Sequence, residues 1–330
     1  MMNNLITVII TAYNRKTYLL QAVNSVLGQT LDKNYYEIIV TKNFVEQEIE
    51  NYLLNNNVRV LDSASADQGK QLSSAISASN GDIIALLDDD DLFSKDKLES
   101  ILYYFQSNPD LIYTHNQYKT LRKSALSGKT LYRYIKNDVY IKGGNLDILK
   151  RYLKYGVWSN NSSICFRKSF IMKHLKILKE IKSRIDFFIF FIAVIDRGDL
   201  MLLSSILTTY RIHESESHSL KTNSIKDQRV LLLLRYAEVD KLLLEIPLNI
   251  EVKKLIRMDE LIITMNLKIL GEKGENLGFR SLPLILDYVF VYRKLYPIII
   301  SSFYLASLIS KYYTDHILRK ILLLYYKNFY

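Results

Sequence analysis

Short apolar runs alternate with amphipathic helical patterns in the first third of the chain. Leu5–Ile10, Tyr36–Val40 and Val58–Leu61 are predicted strands, because their apolar residues run without helical spacing. Leu19–Leu27 and the segment Leu72–Ile76 carry apolar residues at intervals of three and four, which predicts helices. Strands that alternate with helices form a parallel sheet with right-handed crossovers. The predicted fold class is therefore α/β.

The pattern changes further along the chain. Leu111–His115 and Ile206–Ile212 are two more predicted strands. Ser183–Ile192 is apolar nearly all round, which predicts a deeply buried helix. Residues 221–330 have helical periodicity without a strand signal, so we expect a helical C-terminal region.

The stretch Gly81–Asp91 combines a buried strand with a cluster of acids. Ile83–Leu87 is an unbroken apolar run, as in a central parallel strand, and Asp88–Asp91 follow directly. Ligands of open α/β sheets bind outside the carboxyl ends of the strands, and carboxylate oxygens suit Mg²⁺ or Mn²⁺. The cluster predicts a site for a divalent cation and a nucleotide. The alternative is a solvated acidic loop.

Composition narrows the choice of class and compartment. The 330 residues are 49% hydrophobic with 11 Gly and 4 Pro, which argues against a turn-rich all-β fold. The single Cys165 excludes an internal disulfide and suits a reducing compartment. With no signal-peptide pattern evident, we expect a cytoplasmic protein. The net charge of +10 indicates an anionic partner. Because the chain has no nucleic-acid-binding motif, we expect this partner to be phosphate or an acidic lipid surface, and not nucleic acid.

The loop Thr11–Arg15 joins the first predicted strand to the first predicted helix. A helix N-terminus in this place can face a phosphate, and Tyr13 offers a ring for stacking on a base. The chain has neither a Gly-x-Gly-x-x-Gly nor a Walker-type loop, which argues against an ordinary dinucleotide or P-loop site.

Together these motifs resemble the family 2 glycosyltransferases of the GT-A fold. The resemblance rests on Thr11–Arg15, on Glu37–Val40 as the next strand, on a Gly-containing helix and on Leu87–Asp91, in the family's order and spacing. It implies a GT-A catalytic domain at 1–220, with a nucleotide-sugar half at 1–115 and an acceptor half at 116–220, followed by a helical region at 221–330.

The resemblance also implies roles for individual residues. In that family the first-strand loop holds the nucleotide of a sugar-diphosphate donor. The Asp-x-Asp signature contacts the ribose and a divalent cation, Mg²⁺ or Mn²⁺, that bridges the phosphates. The implied donor-binding residues are Thr11, Ala12, Tyr13, Arg15, Asn43, Asp67, Lys70, Asp88, Asp89 and Arg211. The implied metal ligands are Asp90 and His213.

Two dipeptides depart from the family pattern. Lys42-Asn43 stands where the family usually carries an acidic pair that reads the base, although Asn43 can still hydrogen-bond a base edge. Leu72-Ser73 stands where an Arg-Asn pair is common. Lys70 either supplies the missing positive charge or is a solvated helix residue. These departures leave the nucleotide's identity open.

Asp186 is the candidate general base. Family members usually carry Glu-Asp at the head of this helix, and the Asp takes the proton from the acceptor hydroxyl; here Ile185 replaces the Glu and Asp186 matches the Asp. Burial would raise the proton affinity of this carboxyl group toward the working range. The alternative is a capping box between Ser183 and Asp186, which stabilises the helix alone.

Arg211 has one implied role, whereas His213 and Trp158 have two interpretations each. Arg211 and His213 match an element that ends the family's catalytic domain. There Arg211 would clamp phosphate, and His213 would contact metal or phosphate. His213 is otherwise a structural residue, as we expect for His218. Trp158 is either a platform for a sugar ring or an aromatic residue at the edge of the core.

The C-terminal region mixes basic residues with Tyr-rich apolar segments. Its longest uncharged stretch, Leu295–Ser310, is shorter than the roughly 20 residues of a spanning helix. Its helices therefore either lie peripherally in the headgroups of the inner membrane face or pack on the catalytic domain or a partner subunit.

We therefore predict a metal-dependent, inverting glycosyltransferase that moves a sugar from a nucleotide-diphosphate donor to a hydroxyl of a glycan or lipid-linked acceptor. One alternative is a nucleotidyltransferase, which uses a similar sheet and acidic cluster. The other is a non-catalytic relative that binds nucleotide-sugars or membranes.

Overall fold

The computed structural model describes residues 5–63, 65–122, 125–126, 135–212 and 224–272, together with Pro283 and Leu286. The chain divides into two compact units. The first, called the N-terminal unit below, comprises residues 1–149 and 155–213. The second comprises residues 150–154 and 214–330. The predicted boundary near residue 220 and the division into donor and acceptor halves stay predictions.

Ten strands and ten α-helices are described. The strands are β1 (Ile6–Ala12), β2 (Tyr36–Lys42), β3 (Arg59–Asp62), β4 (Ile83–Asp88), β5 (Leu92–Phe93), β6 (Leu111–Arg122), β7 (Ala125–Leu126), β8 (Val139–Ile141), β9 (Ile164–Arg167) and β10 (Asp199–Ile212). The helices are α1 (Leu19–Leu27), α2 (Gln47–Asn55), α3 (Gln68–Ala78), α4 (Lys97–Ser107), α5 (Leu146–Leu153), α6 (Lys168–Met172), α7 (Leu175–Leu178), α8 (Ile185–Ile195), α9 (Ile225–Leu244) and α10 (Ile250–Ile269).

All ten strands belong to one mixed sheet of the N-terminal unit, with the main order β3-β2-β1-β4-β9-β6-β10-β5. β3, β2, β1 and β4 are parallel, whereas β9 runs antiparallel to both β4 and β6. The register pairs Thr11 of β1 with Thr41 of β2 and with Asp88 of β4. The carboxyl ends of these strands therefore meet at one edge, and the predicted α/β class with a mostly parallel sheet is confirmed.

Burial explains why these segments form the core. The aliphatic side chains of β1 and β4 are almost wholly excluded from solvent. In α8, every residue from Phe187 to Val194 is buried, as the nearly uniform apolar sequence predicts.

Two predicted strands are longer than expected. β6 continues beyond His115 to Arg122, and β10 begins at Asp199 rather than at Ile206. The two strands pair with each other in parallel along most of their lengths, with register shifts near Ile206. This non-local pairing gives polar residues such as Asn116 and Gln117 a place in the sheet.

The described part of the second unit is helical. Side chains cap the starts of both long helices: Ser224 accepts a hydrogen bond from the Asp227 amide, and Asn249 accepts one from the Val252 amide. Among the described residues, we find no helix with the length and apolar character needed to cross a bilayer.

A close backbone approach makes Gly69 a sensitive position. A Cβ there would lie 1.9 Å from the carbonyl oxygen of Leu178 and 2.6 Å from that of Ile181. We expect Gly69→Ala to destabilise the protein by roughly 2–4 kcal/mol, because backbone atoms cannot yield as side chains can. Thermal unfolding followed by circular dichroism measures this. Gly28→Ala is the control, since its Cβ would lie 3.3 Å from the nearest atom, the carbonyl oxygen of Asn24. Equal losses in both variants would contradict the prediction.

Candidate active site

The four acids after β4 do not point in the same direction. Asp88, Asp90 and Asp91 each place one carboxylate oxygen within 4.8 Å of the others. Asp89 is buried instead against the Arg15 side chain. A tight turn produces this arrangement, in which the Asp91 amide donates to the Asp88 carbonyl at 3.2 Å. Asp91 is therefore a candidate ligand that the sequence interpretation missed, because four identical neighbours do not reveal which of them converge.

The converging oxygens fit a hard divalent cation. Mg²⁺ and Mn²⁺ take carboxylate oxygens, and three acids in one place repel one another without a positive charge. Asp91 is fully buried, and in the described part of the chain its Oδ2 has no hydrogen-bond partner. A buried carboxylate oxygen left in this way is costly, and a bound cation would satisfy it.

Arg15 occupies the space beside these acids. Its Nε donates to both oxygens of Asp89, at 3.0 and 3.1 Å, and its Nη2 forms a further short contact with the same carboxylate. Its Nη1 lies 2.7 Å from Oδ2 of Asp90. The loop after β1 is thereby joined to the acidic turn by a charge-assisted, bidentate contact.

The short loop before β9 connects the acidic turn to the head of α8. The Asn161 Nδ2 donates to Oδ1 of Asp88 at 3.2 Å, and the Asp88 amide donates to the Ser162 hydroxyl at 3.0 Å. The amide of the preceding residue, Asn160, donates to Oδ2 of Asp186 at 2.9 Å. Asn160 and Asn161 were not singled out from the sequence. The only available signal was their polar character just before an apolar strand.

Asp186 lies in the first turn of α8, but no capping box forms. The residue before the helix is Arg184, in the left-handed conformation with φ of 65°, and no side chain caps the helix. The capping alternative was therefore wrong, because Ser183 is not at the capping position. The Asp186 Oδ1 accepts the Phe187 amide at 2.8 Å, so backbone amides hold both of its oxygens.

Phe187, the residue after Asp186, packs against Arg184 and Trp158. The Arg184 guanidinium carbon lies 3.6 Å from the centre of the Phe187 ring. Trp158 packs edge-on against the same ring, with 5.6 Å between the ring centroids. Trp158 is thus half-buried and packs on the first turn of α8.

The other predicted donor-binding residues are placed as follows. Tyr13 is 40% exposed, whereas the neighbouring Ala12 is buried in β1. Asn43 forms two hydrogen bonds of 2.7 Å with Asn14, one of them to the backbone amide. Asp67 and Lys70 are paired with each other at 2.7 Å.

Lys42, at a departure from the family pattern, is buried in ion pairs. Its Nζ lies 2.8 Å from a Glu50 oxygen and 3.0 Å from an Asp62 oxygen. It also donates to the carbonyl of Phe44. These contacts tie β2 to α2 and β3, so Lys42 has a structural role next to Asn43.

Arg211, the predicted phosphate clamp, is tied to the acidic turn. Its amide donates to Oδ1 of Asp91 at 2.9 Å, and its Nε donates to the carbonyl of Asp90 at 2.8 Å. The guanidinium also reaches Gln21 of α1 and stacks 4.1 Å from the Tyr18 ring centre. His213, a predicted metal ligand, lies outside the described residues, as does His218.

A cavity joins several of these groups. It has about 270 Å³ of empty space, part of it open to solvent, and its lining includes Thr11, Asp88, Asn161, Leu72 and Ile185. The two positions where apolar residues replace polar ones of the family, Leu72 and Ile185, line the same cavity.

Burial changes the acidity of the site. It raises the pKa of Asp88 to about 7, with the nearby charges of Asp90 and Asp89 acting in the same direction. It raises the pKa of Asp89 to about 6, against the opposing effect of Arg15. Burial also raises the pKa of Asp186, although the Phe187 amide, the Arg184 charge and the Asn160 amide oppose it.

Comparison with known proteins supports the same assignment. The sequence profile described as "Glycosyl transferase family 2" matches residues 7–194. An uncharacterized glycosyltransferase of Nostoc sp. is 24% identical over 237 residues, which cover 68% of this chain and 69% of the relative. One from Rickettsia felis is 31% identical over 121 residues, 36% of this chain. The match covers only 20% of that relative's length.

Solved structures share the fold. The crystal structure of S. aureus TarS 1-349 has a TM-score of 0.60 at 14% identity, and covers 96% of this chain and 90% of that one. The same segment in complex with UDP-GlcNAc has a TM-score of 0.62 at 15% identity, with the same coverage. The predicted GT-A fold is therefore confirmed.

The raised pKa of Asp88 predicts how stability depends on pH. The folded state binds a proton at this carboxyl group up to about pH 7, whereas the unfolded chain releases it near pH 4. Without divalent cations, stability should therefore rise as pH falls from 8 to 5, by roughly 1–3 kcal/mol from this group. Melting in EDTA measures the rise, which Asp88→Asn should reduce. The control is Asp110→Asn, at an exposed carboxylate. An identical pH dependence in wild type and Asp88→Asn would contradict the prediction.

Proposed function

This chain belongs to glycosyltransferase family 2 and is a glycosyltransferase, and we propose that it moves a sugar from a nucleotide-diphosphate donor to an acceptor hydroxyl with inversion. The family profile covers more than half of the chain. The proposal adds the donor class, the stereochemistry, the cation and the roles of individual residues.

One contact pattern carries the proposal. The neighbouring residues Asn160 and Asn161 bind Asp186 and Asp88 respectively, so the candidate base and the acidic turn are held by the same short loop. Thr11, Asp88 and Ile185 also line one cavity. A donor sugar bound there would lie between Asp186, which receives the proton, and the acidic turn, near which the diphosphate leaves.

In the proposed reaction, Asp186 accepts the proton of the acceptor hydroxyl. The hydroxyl oxygen then attacks the anomeric carbon from the side opposite the diphosphate, and the bond from that carbon to the phosphate oxygen breaks. The two backbone amides that hold Asp186 orient its carboxylate, and each oxygen keeps a second lone pair for the incoming proton. Burial raises the pKa of Asp186, which strengthens its carboxylate as a base.

We propose Asp88, Asp90 and Asp91 as the carboxylates that hold Mg²⁺ or Mn²⁺. The cation would supply positive charge to the departing diphosphate, which is where negative charge develops. Arg211 is proposed to fix the turn that presents these acids, through its contacts with Asp90 and Asp91. His213 remains a proposed further ligand.

The donor is proposed to be a UDP-sugar. The structures similar in fold include TarS complexes with UDP-GlcNAc and with UDP. In this chain, Tyr13 is exposed for stacking on a base, and the Asn14–Asn43 pair presents amide groups next to it. Asp67 and Lys70 are proposed to contact the donor once their mutual ion pair opens.

The acceptor is proposed to be a glycan or a lipid-linked sugar. An excess of Lys and Arg over Asp and Glu in residues 221–330 supports peripheral contact with an acidic membrane surface. Under this proposal residues 1–220 form the catalytic domain, and the helices beyond it bring the enzyme to its acceptor.

The donor class can be tested by thermal shift with UDP-, GDP- and dTDP-sugars, each with and without Mn²⁺. We expect stabilisation by UDP-sugars that depends on Mn²⁺, because the cation neutralises the acids that face the diphosphate. Turnover of the stabilising donor should release the nucleoside diphosphate. Release of pyrophosphate would indicate nucleotidyl transfer instead, and the absence of any shift would contradict the proposed donor.

Asp186→Asn should remove the base while keeping the shape of the side chain. We expect turnover to fall about 10²–10⁴-fold, with donor affinity within about three-fold of wild type. In the wild type, turnover should decline as pH falls through the raised pKa, because protonated Asp186 cannot accept the acceptor's proton. Steady-state release of the nucleoside diphosphate measures both effects.

Asp196→Asn provides the matched control. Asp196 is the C-terminal cap of the same helix and pairs there with His174 at 2.9 Å. Turnover of this variant should stay within a few-fold of wild type. Similar losses in the two variants would indicate damage to α8 and would count against Asp186 as the base.

A further inference from the structure

Arg15 makes two separate ion pairs with the acidic turn. One edge of its guanidinium, Nε and Nη2, contacts Asp89, and the remaining nitrogen, Nη1, contacts Asp90. The side chains are largely enclosed, at 16% exposure for Arg15, 3% for Asp89 and 14% for Asp90. These pairs are therefore screened less by salt than surface pairs are.

The neighbouring cations are directed elsewhere. The Lys97 Nζ is buried, and it donates to the Ser162 carbonyl and to the Thr208 hydroxyl. Arg211 gives its backbone amide to Asp91, while its guanidinium reaches the Asp90 carbonyl and Gln21. The carboxylates of Asp89 and Asp90 thus receive positive charge from the Arg15 side chain.

The Asp90 contact places a monovalent cation on an oxygen of the proposed metal site. A divalent cation bound to the same carboxylate would lie close to the guanidinium, and like charges at that distance repel strongly. A diphosphate relieves this conflict, since its oxygens bind both a divalent cation and a guanidinium fork. Asp89 would keep its edge of the guanidinium in both states.

We propose that Arg15 is a displaceable internal counter-ion. When no divalent cation is present, Arg15 forms an ion pair with Asp90. When cation and donor bind together, the Arg15 Nη1 moves from Asp90 to the donor diphosphate. Arg15 thereby makes uptake of the cation depend on the donor. This inference rests on the cation site and donor class proposed above.

The test is the affinity of the full chain for Mn²⁺ alone, measured by the electron paramagnetic resonance signal of free Mn²⁺. We expect Arg15→Met to bind Mn²⁺ on the order of ten-fold more tightly than wild type, because the competing cation is gone. With Mn²⁺ present, the same variant should bind UDP on the order of ten-fold more weakly. A residue that only binds the donor would leave the affinity for Mn²⁺ alone unchanged and would weaken UDP binding.

Lys16→Met is the matched control. Lys16 is the next cation on the same loop, and it pairs with Glu46 rather than with the acidic turn. Its loss should leave both affinities unchanged. Because Arg15→Met leaves Asp89 buried without its partner, the double variant Arg15→Met/Asp89→Asn is measured as well, and it should also bind Mn²⁺ more tightly.

The outcomes separate the inference from the proposed function. If wild type binds Mn²⁺ with UDP, but neither Arg15 variant binds Mn²⁺ alone more tightly, the counter-ion role is overturned and the cation site stands. If wild type binds no Mn²⁺ even with UDP, both are overturned. Tighter binding in both Arg15 variants, with Lys16→Met unchanged, supports the inference.

Discussion

The structure depends on keeping four consecutive carboxylates together at the end of a buried strand. β4 delivers Asp88 to the sheet edge, and the turn after it buries Asp89 and Asp91. Such a cluster is unfavourable by itself, since burial disfavours the charged forms and the charges repel. Groups from three parts of the chain compensate: Arg15 after β1, Asn161 and Ser162 before β9, and Arg211 at the end of β10. The acidic turn is consequently held by contacts from the ends of β1 and β10 and from the loop before β9.

The same compensation positions the candidate chemistry. The loop that holds Asp88 also holds Asp186, through adjacent residues, so the acids and the base cannot move far apart independently. Lys97 stabilises this loop, because its Nζ donates a hydrogen bond to the Ser162 carbonyl. Burial lowers the pKa of Lys97 to about 8, yet the nearby Asp91 favours its charged form. A buried lysine under an acidic turn thus contributes positive charge without blocking the face that a donor would approach.

The two arginines that the resemblance assigned to the donor behave differently in this structure. Arg211 is anchored through its backbone, its guanidinium and the Tyr18 ring, which suits a residue that fixes the turn. The Arg15 guanidinium forms ion pairs with the side-chain carboxylates of Asp89 and Asp90, which suits a residue that can change partner. The resemblance assigned both residues to donor binding, so sequence matching alone does not separate an anchor from a cation that changes partner.

Local pattern was sufficient for the α/β class, for β1, β2, β4 and α8, and for the family, because apolar periodicity and the acidic run are properties of contiguous residues. The acidic run also marked where the site lies, since a strand's carboxyl end is known once the strand is known. Tertiary structure decided the rest. The lengths of β6 and β10 depend on their pairing with each other, and the convergence of Asp88, Asp90 and Asp91 depends on a turn closed by a backbone hydrogen bond. The partners of Arg15 and the parts played by Asn160 and Asn161 also arise from residues far apart in the chain, and such contacts leave no periodic signal in the sequence.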